Sequence, residues 1–127
     1  MGGSEKMLTV KQAAEKAGIS EHTLRYYTDQ GLIPGVARDE NNKRLFSEES
    51  LGYLHLVVCL RGCGMPIGDI KRFMTLNLAG DGTLEDRYQI LLEQEARATA
   101  QLREAEERLA MLRRKLGHYR ERIAQKQ

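Results

Sequence analysis

Ile19-Ser20-Glu21-His22-Thr23-Leu24-Arg25-Tyr26-Tyr27-Thr28-Asp29-Gln30 runs without glycine or proline from a serine that suits a helix N-cap. A helix from Glu21 to about Gln30 is expected, with Leu24 and Tyr27 one turn apart on its inner face and Arg25 and Tyr26 pointing elsewhere. Working backwards, Thr9-Val10-Lys11-Gln12 has the Thr-x-x-Gln spacing of a capping box. It starts a helix through Lys16 that carries Val10, Ala13, Ala14 and Ala17 on its apolar side, and Ala17-Gly18 ends it. Two short helices joined by a turn containing glycine make a helix-turn-helix.

Working forwards, Gly31-Leu32-Ile33-Pro34 breaks the helical period. Val36 to Arg38 and Lys43 to Phe46 then read as two short strands around the polar turn Asp39-Glu40-Asn41-Asn42, a hairpin or wing. Ser47, followed by Glu48 and Glu49, caps a third helix to about Arg61, with Leu51, Leu54 and Val58 on its apolar face and Gly62 and Gly64 at its end. Pro66 suits the first position of a fourth helix, in which Ile67, Ile70, Phe73 and Met74 recur at helical spacing until Leu78-Ala79-Gly80.

The last third has a different period. Leu84, Tyr88, Leu91, Glu95, Ala98, Leu102, Ala105, Leu109, Leu112, Leu116, Tyr119 and Ile123 alternate in steps of four and three, and only Glu95 breaks the apolar register. Thr83 is the expected N-cap, with Asp86 three residues on. About 42 residues at 1.5 Å each would form a rod of roughly 63 Å, too long to bury its seam against a head of this size. A second copy of the helix is the simplest partner, antiparallel or parallel, so a homodimer is expected, with Leu91, Leu102, Leu109, Leu112 and Leu116 as its dimerisation residues. The expected fold is therefore mainly α: a winged helix-turn-helix head with an extra helix pair over residues 7–80, and a long C-terminal coiled-coil dimerisation helix over 81–127.

These motifs together resemble the MerR family of bacterial transcription regulators. Ile19-Ser20, then Thr23-Leu24-Arg25-Tyr26-Tyr27, then Gly31-Leu32-Ile33-Pro34 is similar to that family's recognition-helix string. Arg44 and Phe46 followed by Ser47-Glu48-Glu49 resemble its wing, and Gly64-Met65-Pro66-Ile67 its turn into the fourth helix. Lys43 stands where the family usually has an aromatic residue, and Asn42 where it usually has glycine. The stretches Cys59 to Ile67 and Leu84 to Tyr119 are most similar to the AdhR/NmlR-type branch, whose members are implicated in aldehyde, electrophile and nitrosative stress. The resemblance implies a homodimer on palindromic double-stranded promoter DNA that distorts an over-long spacer, with RNA polymerase engaged indirectly through the DNA.

For a helix entering the major groove, Ser20, His22, Thr23, Arg25 and Tyr26 are the candidate DNA-binding residues, since they supply hydroxyls, an imidazole, a guanidinium and a phenol near a helix N-terminus. Lys43 and Arg44 on the wing are candidates for flanking phosphates. The cysteines leave three readings open. Cys59 is a sensor thiol that an electrophile modifies, favoured by nearby Arg61; or it is a small buried hydrophobe within Leu56-Val57-Val58-Cys59-Leu60; or His55, Cys59 and Cys63 form a soft zinc or copper site. Metal-responsive members of the family resemble one another in cysteines at the start of and after the dimerisation helix, and this chain has none after Cys63.

Composition bounds the rest. The 127 residues hold 20 Lys and Arg against 18 Asp and Glu, a net charge of +2, so any basic footprint must come from local clustering such as Arg38, Lys43 and Arg44. No apolar run is long enough for a membrane span and Met1 to Lys6 carries no signal core, so a cytoplasmic protein with no membrane partner is expected. Met1-Gly2-Gly3-Ser4 reads as a cloning remnant. His22, His55 and His118 are scattered and no phosphate-cradling glycine loop precedes a helix, so neither an enzyme nor a cofactor is expected. The competing functions are a coiled-coil interaction protein and an architectural DNA binder without an effector.

Overall fold

The computed structural model describes residues 6–126, and Met1 to Ser4, expected to be a cloning remnant, lie outside them. The elements follow in the order β1 (Leu8–Thr9), α1 (Val10–Ala17), α2 (Glu21–Asp29), β2 (Ala37–Arg38), β3 (Arg44–Phe46), α3 (Glu48–Gly62), α4 (Ile67–Ala79), a 3-10 turn (Asp81–Thr83) and α5 (Leu84–Lys126).

Local chemistry fixes most of the boundaries. Thr9 and Gln12 close a reciprocal capping box, with the Gln12 N–H donating to Thr9 Oγ1 at 3.2 Å and the Thr9 N–H donating to Gln12 Oε1 at 3.0 Å. Ser20 Oγ accepts from the Thr23 N–H at 3.0 Å to start α2, and Ser47 Oγ accepts from the Ser50 N–H at 3.1 Å to start α3. Gly18, at φ 71°, ends α1 in the left-handed conformation that glycine adopts without a Cβ penalty.

The hairpin expected from the sequence is present and gains a third strand. β3 lies at the centre of an antiparallel sheet ordered β1-β3-β2, with Leu8 opposite Phe46, Thr9 opposite Leu45, Ala37 opposite Leu45 and Arg38 opposite Arg44. Asp39 organises the tip, its Oδ1 accepting from the Asn41 and Lys43 N–H groups at 2.8 and 2.9 Å. Asn42 takes φ 62°, which asparagine tolerates better than most side chains, and so serves where glycine is usual.

Phe46, Leu24, Leu32, Leu54, Met65, Ile70 and Val57 are fully buried in one core, to which Ala13 and Ala14 of α1, Tyr27 of α2, Leu60 of α3, Phe73 and Met74 of α4 and Ile90 of α5 also belong. Ser50 is also fully buried, and its hydroxyl donates to the Gly35 carbonyl at 3.0 Å, tying α3 to the loop that leads into the wing.

Thr83 departs from its expected role as N-cap of the long helix. Its hydroxyl turns back to the Leu76 and Gly80 carbonyls at 2.6 and 2.8 Å and accepts from Arg87 Nε at 3.0 Å. Arg87 also donates to Asn77 Oδ1 and to the Gly80 carbonyl, both at 3.1 Å, so one guanidinium occupies the C-terminal end of α4, where a cation is favourable.

The chain divides into two compact units between Ile90 and Leu91. The second is the remainder of α5, a helix of 43 residues in all, and Leu91, Leu102, Leu109, Leu112 and Leu116 are all exposed within the chain.

Candidate nucleic-acid interface

The start of α2, the first turn of α1 and the wing enclose a cleft of about 450 Å³, lined by Thr9, Val10, Lys11, Glu21, Arg25, Arg38, Asp39, Asn42, Lys43, Arg44 and Leu45. Five cations and two carboxylates face it, so the basic footprint that the whole-chain charge conceals is concentrated at one place. Of the residues singled out from the sequence, the cleft gathers Arg25, Lys43 and Arg44. Ser20, His22, Thr23 and Tyr26 share α2 and its cap but do not line the cleft.

Each cation is held differently. Arg25 Nη2 lies 3.2 Å from Glu21 Oε1 one turn earlier, an exposed pair that steadies the guanidinium while leaving it open to solvent. Arg44 Nη2 lies 2.6 Å from Asp29 Oδ1, linking the wing to the end of α2, and only 17% of its side chain is exposed. Arg38 Nη1 donates to the Asn42 carbonyl at 2.9 Å, and Lys43 is exposed at the tip.

The remaining candidates divide by burial. Tyr26 is 43% exposed while Tyr27, its ring 6.2 Å away, is in the core. His22 is exposed one turn before Tyr26, and the Ser20 hydroxyl is spent on the cap and on Thr23 Oγ1 at 2.9 Å.

Sequence reasoning missed Lys11 as a cleft residue and used Arg38 only as part of a charge cluster. The register holds a signal for Arg38, because it sits directly opposite Arg44 on β3. Like charges so placed repel unless an anion or carboxylate intervenes, and Asp29 neutralises only Arg44. Lys11 becomes a cleft residue only when the wing folds back over α1, which no local pattern records.

Both cysteines are exposed, which removes the reading of Cys59 as a buried hydrophobe. The His55, Cys59 and Cys63 metal set is also corrected. Among the described residues no group of three or more His, Cys, Asp or Glu side chains could hold a metal ion. Residues eight apart on a helix are separated by about 12 Å along its axis, beyond the span of one ion's ligand shell. Elsewhere on α3, Tyr53 donates to Glu49 Oε1 at 3.3 Å, and its phenol is raised above the ordinary range by desolvation first and by the Glu49 carboxylate second.

The family model for the MerR HTH family regulatory protein matches residues 8–76, more than half of the chain and all of the elements that build the cleft. The chain belongs to the MerR family. This MerR-family protein is 41% identical over 111 residues to an uncharacterized HTH-type transcriptional regulator of Haemophilus influenzae, covering 87% of this chain and 82% of that one. It is 34% identical over 90 residues to the transcriptional regulator AdhR of Bacillus subtilis, covering 71% and 64%. Among solved structures it is similar to HiNmlR, a MerR family regulator lacking the sensor domain and bound to promoter DNA, with a TM-score of 0.73, 39% identity and 94% of each chain covered. The MerR-family protein is thus a DNA-binding transcriptional regulator, and no helix among its described residues is long and apolar enough to cross a membrane.

Proposed function

We propose that this regulator binds a palindromic promoter as a homodimer, remodels the promoter spacer so that RNA polymerase engages it through the DNA, and takes its signal at the Cys59 thiol. The observation that carries this reading is the basic cleft beside α2. Arg25 belongs to the helix offered to the major groove, and Lys43, Arg38 and Lys11 meet the flanking phosphates. Ser20, His22, Thr23 and Tyr26 supply the other contacts from the same helix. The similar HiNmlR is bound to promoter DNA, which supports DNA binding by this chain.

Dimerisation rests on the seam of α5, whose leucines are exposed throughout residues 91–116. The charges along the helix favour an antiparallel pair. Residues 85–107 carry seven carboxylates against three cations, and residues 108–126 carry seven cations against one carboxylate. A parallel pair would set like against like, whereas an antiparallel pair sets the acidic stretch against the basic one. Two-fold symmetry then requires a palindromic site.

The trigger reading rests on the exposure of Cys59 and is supported by the similarity to AdhR. Modification there acts close to the α3–α4 turn, where the Met65 N–H bonds the Leu60 carbonyl and Arg61 Nη1 bonds the Met65 carbonyl at 3.1 Å.

Selection of random duplexes by the reduced protein at two salt concentrations tests the proposal. Enrichment of a palindrome with salt-sensitive affinity is the expected result, and the half-site spacing reports how far the DNA must be distorted. Failure to enrich any sequence at low salt would leave the coiled-coil interaction reading in its place.

A further inference from the structure

Cys59 and Cys63 are both exposed and lie one helical turn apart at the end of α3. The Cys63 N–H still donates to the Cys59 carbonyl at 3.1 Å, so the last turn is closed and Cys63 stands above Cys59 even though the helix proper ends at Gly62. Both thiols are open to solvent, and Gly64 follows at φ 82°.

Residues four apart on a helix have Cβ atoms about 5–6 Å from each other, while a disulfide needs them at about 3.5–4.5 Å. A direct S–S bond would therefore have to pull the cap apart. One thiophilic atom between the sulfurs adds a second bond to the bridge and removes that shortfall. We propose that Cys59 and Cys63 form a two-thiol site that chelates a single trivalent thiophilic centre of the organoarsenical class, closing a clamp across the C-cap of α3.

The step balances without a redox partner. With phenylarsine oxide, two As–S bonds form and the As–O bonding is lost. The two thiol protons leave with the oxygen as water, and arsenic stays trivalent. The clamp would fix the turn that continues through Met65, whose side chain is fully buried, so its grip reaches the core. His55 takes no part, being two turns from Cys63. The inference rests on Cys59 being a reactive thiol, and it adds Cys63 as a required second ligand.

The test titrates the reduced 127-residue protein with phenylarsine oxide and follows intact mass, retention against excess monothiol and release by a dithiol. One phenylarsenic group per chain is expected. Cys59→Ser and Cys63→Ser should each lose retention by roughly 100-fold, the scale on which a second tethered contact adds to the first. Equal retention by Cys63→Ser, or two groups per wild-type chain, overturns the clamp. Iodoacetamide labelling of Cys59 in the Cys63→Ser variant separates the two ideas. Labelling without arsenical retention in wild type sinks the clamp and leaves the reactive thiol standing. Retention in wild type with unchanged promoter output keeps the clamp and sinks the trigger.

Discussion

Arg44 on the wing reaches Asp29 at the end of α2 with Nη2 and Oδ1 2.6 Å apart, so the two elements that flank the basic cleft are joined by one ion pair. Asp29 is 61% exposed, so solvent and salt discount the pair's contribution. A double-mutant cycle with Asp29→Asn and Arg44→Gln should give a coupling of about 0.5–1 kcal/mol in urea denaturation, shrinking at high salt. A coupling that is absent at low salt would mean that the wing holds its position by backbone pairing alone.

Lys43 and Arg38 should act on affinity without acting on sequence preference. With each on a phosphate as proposed, replacement by alanine should make the slope of log K against log salt shallower by about 0.9 per lost contact, counted in each protomer. Binding to operator and to unrelated DNA, measured by fluorescence anisotropy across a salt series, should weaken together. A selective loss on the operator would instead mark the residue as a reader of bases.

The neighbouring tyrosines should separate cleanly. Tyr26 is exposed and Tyr27 is 6% exposed in the core. Tyr26→Phe should lower DNA affinity several-fold with an unchanged denaturation midpoint, as removal of a hydroxyl donor from a binding surface does. Tyr27→Ala should cost about 3–5 kcal/mol of stability, the scale of a deleted core aromatic. Urea melts and anisotropy on the same samples check both expectations.

What could be read in advance was what depends on neighbours in sequence. Thr9 with Gln12, Ser20 with Thr23 and Ser47 with Ser50 are caps whose partners lie three residues away, so spacing alone reveals them. β1 escaped because two residues carry no periodicity, and Leu8 becomes a strand only by pairing with Phe46. Thr83 had the composition of a cap, but its hydroxyl found carbonyls at the end of α4. The exposure of Cys59 was hidden by Leu56-Val57-Val58-Cys59-Leu60, an unbroken apolar run that gives no phase. Only the packing of Val57 and Leu60 into the core turns Cys59 outward.

Arg87 should matter to stability more than a surface arginine does. Its three nitrogens donate to Thr83, Asn77 and Gly80, all neutral acceptors around the end of α4. Arg87→Ala leaves those acceptors and the Thr83 hydroxyl without their donor, and a loss of about 2 kcal/mol is expected, consistent with charge-assisted hydrogen bonds at a partly buried site. Arg87→Lys should recover only part of it, because an ammonium cannot span three acceptors as the planar fork does. Full recovery by lysine would mean that the charge at the helix end, and not the fork, is what counts.

The seam of α5 gives the sharpest separation between folding and assembly. Leu109 and Leu112 are 45% and 61% exposed within the chain, so replacing either by lysine removes nothing from the core of the head. In a dimer the same change puts an ammonium into an apolar seam, where an unpaired charge costs several kcal/mol. Leu109→Lys should therefore shift sedimentation equilibrium from dimer to monomer while the head keeps its own denaturation transition. Affinity for a palindromic site should fall with it, because each head then binds one half-site without the gain from linkage, worth about 10²–10⁴-fold in favourable geometry. A variant that stays dimeric would place the self-association surface elsewhere on the chain and leave the seam for a different partner.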